Sequence, residues 1–207
     1  MQVARARLRG AATVALLCVL AGCADHSPQL TRLAASDTIL AFGDSLTHGT
    51  GAAETESYPA VLAQLVGRKV VGAGVPGETS AQGLERLPAL LDEVQPRLVI
   101  VCLGGNDMLR QMGDAQVARN LREILKIIRG RGAQAVLVGV PKPALITSAP
   151  AFYAEVAREY AVPYEGSIVT SVLYKPALRS DPIHPNALGY RQIAEALAEL
   201  LRKAGAV

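Results

Sequence analysis

The sequence predicts an α/β domain in which a parallel sheet is covered by helices on both faces. Short apolar runs of strand length alternate with longer segments whose apolar residues recur at helical spacing. Two of the runs, residues 98–103 (LVIVCL) and 135–140 (AVLVGV), are apolar throughout, as strands covered on both sides are. The chain has 207 residues, half of them apolar and 19% charged, which suffices for one domain with a sizeable core. There is no Trp and there are only two Phe, so that core is built from Leu, Val, Ile and Ala.

In chain order, residues 38–42 form the first strand and 58–66 a helix. Residues 69–71 make a weak second strand, followed by a glycine-rich turn. Leu84, Leu87, Leu90, Leu91 and Val94 mark a helix that Pro96 ends. Residues 98–103 form the third strand. Asp114 caps a helix whose stripe is Val117, Leu121, Ile124, Leu125 and Ile128, stopped by Gly130 and Gly132. Residues 135–140 make the fourth strand, closed by Pro141. Residues 150–160 are helical and 162–164 extended. A last helix starts near Asn186 and turns Tyr190, Ile193, Ala194, Leu197 and Leu201 inward. No internal repeat or linker divides residues 38–201.

The first residues are of another kind. Arg5, Arg7 and Arg9 precede an apolar stretch at 11–20, as in a secretory signal. The stretch is short for a bilayer span. The LAGC that follows resembles the bacterial lipobox, which implies cleavage before Cys23 and lipidation of its thiol; the alternatives are an ordinary signal or an uncleaved anchor. The expected division is a signal at 1–22, a lipidated tether at 23–36 and a domain at 37–207. Several acyl chains on one residue give stable anchoring. Three of the 21 Lys and Arg lie in residues 1–22, which hold no acid; the 18 that remain equal the 18 Asp and Glu. A nucleic-acid-binding footprint is therefore not expected. With Cys18 and Cys23 accounted for, Cys102 has no disulfide partner and is expected to be a buried small hydrophobe.

In open α/β sheets, sites lie beyond the carboxyl ends of the strands. GDSLTHG follows the first strand, GAGVPGET the second and GGND the third. Ser45 reads either as a helix N-cap or as a nucleophile. A nucleophilic serine needs a base, and three histidines are available: His26 in the tether, His48 three residues from Ser45, and His184 in DPIHPN. Asp181 precedes His184 by three residues in a turn held by two prolines. It can orient and stabilise the imidazole; its other reading is a cap for the last helix. Acyl transfer also needs donors for an oxyanion. Backbone N–H groups at Ser45 and Gly77 and the Asn106 amide are candidates; Gly77 and Asn106 otherwise read as turn residues. The histidines show no metal-ligand spacing, so neither metal nor cofactor is expected.

Taken together, GDSL at 43–46, Gly77, GGND at 104–107 and D-x-x-H at 181–184 resemble the ordered blocks of the SGNH, or GDSL, hydrolase superfamily over about residues 38–201. The stretch 77–107 is most similar to the periplasmic thioesterase/lysophospholipase/arylesterase branch. The resemblance implies a flavodoxin-like, three-layer α/β/α, mostly parallel doubly wound fold. It also implies metal-free ester or thioester hydrolysis, with Ser45, Asp181 and His184 catalytic and Ser45, Gly77 and Asn106 forming the oxyanion hole. The chain departs from the branch at Gly72, where Asn is common, at Pro182, where Gly is common, and in a short 141–149 loop.

The expected protein is thus a serine esterase that hydrolyses small carboxylic esters or thioesters, such as aryl, short-to-medium acyl or lysophospholipid esters, through an acyl-enzyme on Ser45. It is expected to be tethered through Cys23 in the bacterial cell envelope, with the outer membrane favoured because Ala24 follows the cysteine. Met108, Leu109 and Met112 either line an acyl trough or pack into the core. A carbohydrate O-acetylesterase is the runner-up, favoured by the short loop and disfavoured by few aromatics. A non-catalytic envelope-binding lipoprotein is the reading from another class.

Overall fold

A computed structural model describes residues 28–142 and 148–207. The signal at 1–22, Cys23, His26 and residues 143–147 of the short loop lie outside the described residues.

Five parallel strands form one sheet in the order β2-β1-β3-β4-β5. They are β1 (Thr38–Gly43), β2 (Lys69–Gly74), β3 (Leu98–Cys102), β4 (Gln134–Val138) and β5 (Tyr164–Glu165). This is the doubly wound, flavodoxin-like order. The order reverses between β1 and β3. Right-handed crossovers therefore place the first connecting helix on one face and the later ones on the other. The helices are α1 (Ser45–His48), α2 (Tyr58–Val66), α3 (Ser80–Val94), α4 (Gly105–Leu109), α5 (Asp114–Gly130), α6 (Ala151–Glu159), α7 (Ile168–Tyr174) and α8 (Ala187–Lys203). α2 packs on α8, while α3 packs on α5 and α5 on α6.

The central strands carry the core. Ile39, Leu40, Ala41 and Phe42 of β1 and Leu98 to Val101 of β3 are fully buried. β2 lies at the edge and is only half-buried, which is why its apolar pattern is weak. It runs three residues further than the sequence predicts, to Gly74, which pairs with Gly43; Gly43 in turn pairs with Cys102. The ends of β1, β2 and β3 thus stand level, and the three glycine-rich loops leave from one line. Close approach there demands glycine. A Cβ on Gly43 would stand 2.3 Å from the Cys102 carbonyl, and one on Gly74 would stand 2.0 Å from the His48 nitrogen.

The helix ends follow local chemistry, with one correction. Asp114 is not the cap of α5. Gly113 takes that position at φ 79°, and Asp114 sits in the first turn with its carboxylate 2.8 Å from the Lys142 ammonium. The five predicted stripe residues of α5 are all buried. α8 is capped by Asn186, whose Oδ1 accepts the Gly189 N–H at 3.1 Å, so Asp181 is left for another role. Cys102 is buried and free, and burial pushes its thiol pKa well up. Residues 28–36 form no helix or strand but lie against the domain. Leu33 is buried, and the Leu30 and Leu33 N–H groups each donate at 2.8 Å to the Ala204 and Ala206 carbonyls after α8. No helix among the described residues is long and apolar enough to cross a membrane.

Candidate active site

Ser45 stands two residues beyond β1, at the point where the strand order reverses. It does not cap α1. Asp44 does, its Oδ1 accepting the Leu46 N–H at 3.0 Å, so Ser45 is the first residue of the helix with its hydroxyl free for other contacts. His184 Nε2 lies 3.0 Å from Ser45 Oγ, although 139 positions separate them. His184 Nδ1 lies 2.7 Å from Asp181 Oδ2. Asp181 Oδ1 also accepts the N–H groups of Ile183 (2.8 Å) and His184 (2.9 Å). Partial burial raises the Asp181 pKa, but these hydrogen bonds and the imidazole outweigh burial and hold the carboxyl below its usual range. An ionised carboxylate only accepts, so Nδ1 carries the imidazole proton and Nε2 is left to accept from the Ser45 hydroxyl.

The segment that presents His184 is fastened at several points. Ser180 N–H donates to the His184 carbonyl at 2.9 Å, and Arg179 bridges Pro185 in antiparallel fashion. The Tyr190 hydroxyl of α8 donates at 2.8 Å to the Thr50 carbonyl; the Thr50 N–H donates to the Ser45 carbonyl at 3.1 Å. The histidine and serine loops are therefore braced together. His48, the histidine nearest to Ser45 in sequence, is exposed on the far side of α1 and forms part of a different groove.

Ser45, Gly77, Asn106 and His184 line one cavity of about 190 Å³. The Gly77 and Ser45 N–H groups have no acceptor among the described residues. Gly77 has φ 80°, a left-handed conformation that suits glycine, and its carbonyl accepts from Arg110 at 2.9 Å. The Asn106 amide donates to the Glu78 carbonyl at 3.0 Å and to Asp44 Oδ2 at 3.3 Å. Burial pushes the Asp44 carboxyl up to about 7. The Leu46 N–H and the Asn106 amide pull the other way, while Glu78 and Asp107 add to the rise.

Leu46, Pro76, Leu109, Val140, Leu173 and Ile183 supply the apolar wall. Of the three candidate trough residues only Leu109 lines the cavity. Met108 packs partly buried against the core, and Met112 is exposed. Pro182 lines the cavity too. A Cβ on Gly72 would meet only Pro59 of α2, at ordinary contact distance, and Gly72 does not line the Ser45 cavity.

The sequence reading missed the supports beneath the donors. The fully buried Asp107 accepts the Ser80 N–H at 2.7 Å and the Ser80 hydroxyl at 2.6 Å, and Asn120 of α5 donates to Ser80 Oγ at 2.8 Å. Asp107 follows Asn106 directly, and Ser80 starts the helix after the Gly77 loop, so this contact fixes one donor loop against the other. Glu78, also buried, pairs with Arg86 at 2.7 Å. A charged residue next to each presumed donor was the available signal. Among the described residues no group of three or more His, Cys, Asp or Glu comes together as a metal site would require.

A doubly wound parallel sheet with serine, imidazole and carboxylate in line at its switch point defines a hydrolase of the serine type. The chain belongs to the GDSL-like Lipase/Acylhydrolase family, whose profile matches residues 41–192. It is 38% identical over 179 residues to the Thioesterase 1/protease 1/lysophospholipase L1 of Escherichia coli (strain K12), covering 83% of this chain and 86% of that one. It is 30% identical over 180 residues to an Arylesterase of Vibrio mimicus, covering 82% and 90%. The crystal structure of TesA superposes with a TM-score of 0.73 at 30% identity, over 81% of this chain and 99% of that one. The chain is accordingly a serine esterase of the GDSL family, a carboxylic ester hydrolase acting on small esters.

Proposed function

We propose that Ser45 is the nucleophile, His184 the general base and Asp181 its orienting partner. The single observation that carries this is the continuous line from Asp181 Oδ2 through His184 to Ser45 Oγ, at 2.7 and 3.0 Å. Ser45 Oγ attacks the acyl carbonyl carbon as its proton passes to His184 Nε2. The carbonyl oxygen becomes an oxyanion facing the Ser45 and Gly77 N–H groups and the Asn106 amide. Asn106 turns one hydrogen from its long bond to Asp44 toward that oxygen. The tetrahedral adduct collapses, His184 gives its proton to the departing alcohol or thiol, and the acyl group stays on Ser45. Water, deprotonated by His184, then releases the acid by the same route in reverse. No step calls for a metal.

The substrate is an ester or thioester with a short to medium acyl group. A cavity of about 190 Å³ is small beside the roughly 300–1,000 Å³ usual for ligand pockets, and its wall is apolar. The same small cavity favours a second reading, an O-acetylesterase acting on envelope polysaccharide. The domain spans residues 37–207, and a lipid on Cys23 holds it at a bacterial membrane facing the periplasm, with the outer membrane favoured.

The test is hydrolysis of p-nitrophenyl esters from acetyl to palmitoyl by wild type and Ser45→Ala. The mutant rate falls by about 10⁴-fold or more. Equal rates in two folded proteins would remove Ser45 as nucleophile. An optimum at acetyl selects the second reading, and an optimum at intermediate length the first.

A further inference from the structure

The amino edge of the sheet, opposite the cavity, is built of strand starts and helix ends. It carries an excess of positive charge. Arg32, Arg68, Lys69, Arg97, Arg129 and Arg158 lie on it, and none meets a carboxylate among the described residues. Five of the six are exposed, and Arg68 is half-buried. Where Arg68, Arg97 and Arg129 are held, the partners are neutral backbone carbonyls, which leave the charge intact. Against them stand Glu93 and Asp37, whose carboxylate accepts the Ala34 N–H at 2.8 Å. Residues 28–207 hold 18 Lys and Arg and 17 Asp and Glu, so this edge is basic while the rest of the domain is acidic.

The chain enters the domain on that same edge. Leu30 and Leu33 donate to the Ala204 and Ala206 carbonyls just past α8, and the Thr31 carbonyl accepts from the Gln134 amide at the start of β4 at 2.9 Å. Only residues 24–29 separate Cys23 from the Leu30 contact, a span of at most about 23–25 Å when extended. α8 measures the depth of the molecule. Its 17 residues give about 25 Å from its start, three residues after His184, to its end beside the Leu30 contact. That length is two to three times the screening length of about 8–10 Å at physiological salt, so the cavity edge lies outside the field of a surface touching the amino edge.

We propose that the amino edge is a docking face for an anionic phospholipid surface. In this arrangement the basic groups and the short leash act together, and the Ser45 cavity opens away from the bilayer. The inference rests on the reading of Cys23 as lipidated. It deepens the substrate assignment: esters reach Ser45 from the aqueous side, as soluble molecules or envelope polymer, not as lipids of the leaflet that anchors the protein. A basic patch and an acyl anchor each strengthen the other's hold on a surface.

The full-length protein, purified from membranes and reconstituted, tests this. A thiol-reactive donor dye is placed at Gln64→Cys, near the end of α2 on the amino edge, or at Leu188→Cys, near the start of α8; both sites are exposed, and Cys102 is buried. The acceptor is a headgroup-labelled lipid in phosphatidylcholine–phosphatidylglycerol vesicles. Transfer from position 64 is expected to exceed transfer from position 188 several-fold. The charge reversals Arg32→Glu, Lys69→Glu and Arg97→Glu together should erase the difference. Equal transfer from both positions, stronger transfer from 188, or indifference to the reversals would overturn the proposal. The intact mass reads the anchor separately. If no acyl mass is present, the Cys23 reading fails, and the face is judged by sedimentation of that same protein with anionic vesicles. Binding that added salt abolishes, and that the three reversals weaken by about tenfold or more, then supports the face; absence of such binding overturns it.

Discussion

Asp44→Asn separates the electrostatic cost of the site from its use. Asp44 is 2% exposed, and burial, with Glu78 and Asp107 adding, raises its pKa from about 3.9 to about 7. A carboxyl whose pKa is raised by folding binds its proton more tightly in the native state. Its contribution is therefore most favourable below about pH 4, declines as pH rises to about 7, and is flat above that. The full cost of ionising Asp44 in place is about 4 kcal/mol, of which about 2–3 kcal/mol accrues between pH 5 and pH 8. The amide put in its place keeps an oxygen for the Leu46 N–H and does not titrate. It turns its NH₂ toward the Asn106 amide, so the 3.3 Å contact is lost at a cost of about 1 kcal/mol. The variant is expected to match wild type near pH 5 and to exceed it at pH 8 by about 2–3 kcal/mol, or roughly 5–10 °C in Tm. With Asn106 no longer steadied, kcat falls by about tenfold while KM changes little. Thermal denaturation at the two pH values and ester kinetics at pH 8 measure both. If the Tm difference between the proteins is the same at pH 5 and pH 8, Asp44 is not paying an ionisation cost and the reasoning fails.

Asp107→Ala leaves the Ser80 N–H and hydroxyl without their acceptor inside the protein, at a cost of about 2–3 kcal/mol by chemical denaturation; kcat falls more than KM rises because the Gly77 and Asn106 loops lose their tie. Asp181→Asn keeps an acceptor for the backbone N–H groups but weakens the hold on Nδ1–H, lowering kcat/KM by on the order of 10³-fold or more. Since Asp181 is held below the usual carboxylate range, its own ionisation does not enter the wild-type kcat/KM profile above about pH 4; a step there that persists in Asp44→Asn and vanishes in Asp181→Asn would contradict this geometry.

The sequence carries most of the fold for a physical reason. Strands buried on both faces lose all polar positions, so β3 and β4 announce themselves. α2 is bounded by Pro at its second residue and by Gly67 in the left-handed region, both visible as letters, and its predicted limits coincide with the observed ones. β2 reads three residues too short in the sequence because an edge strand needs no continuous apolar run. α1, α4 and α7 have 4, 5 and 7 residues, too few for a helical period to register. α4 also opens on glycines, and its entry is set from afar: the Tyr153 hydroxyl donates to the Leu103 carbonyl at 2.8 Å and occupies the space a Cβ on Gly104 would need. Asp114 was misread because acids serve equally as caps and in the first turn, and only the φ of Gly113 decides between them. The packing of residues 28–36 rests on Leu33 alone among apolar side chains that are fully covered, which no period can reveal.

The candidate site was legible because its chemistry-bearing residues sit in short motifs, but the motifs hold more than the chemistry. At a sharp turn, adjacent side chains point to opposite sides of the chain. A residue that faces the cavity therefore has a neighbour that faces inward, and here those neighbours join the loops. Asp44, beside Ser45, accepts from Asn106. Glu78, beside Gly77, offers its carbonyl to Asn106 and its carboxylate to Arg86. Asp107, beside Asn106, takes Ser80. Three loops that leave the sheet from one line are thereby bound to one another by the second member of each pair. Asp44 holds the Asn106 amide directly and Asp107 holds the same turn from the next residue, so the effects of substitutions at these two positions on stability and rate will not add. The sign of the shortfall is informative: once one brace is gone, the second removes less, because Asn106 is already loose.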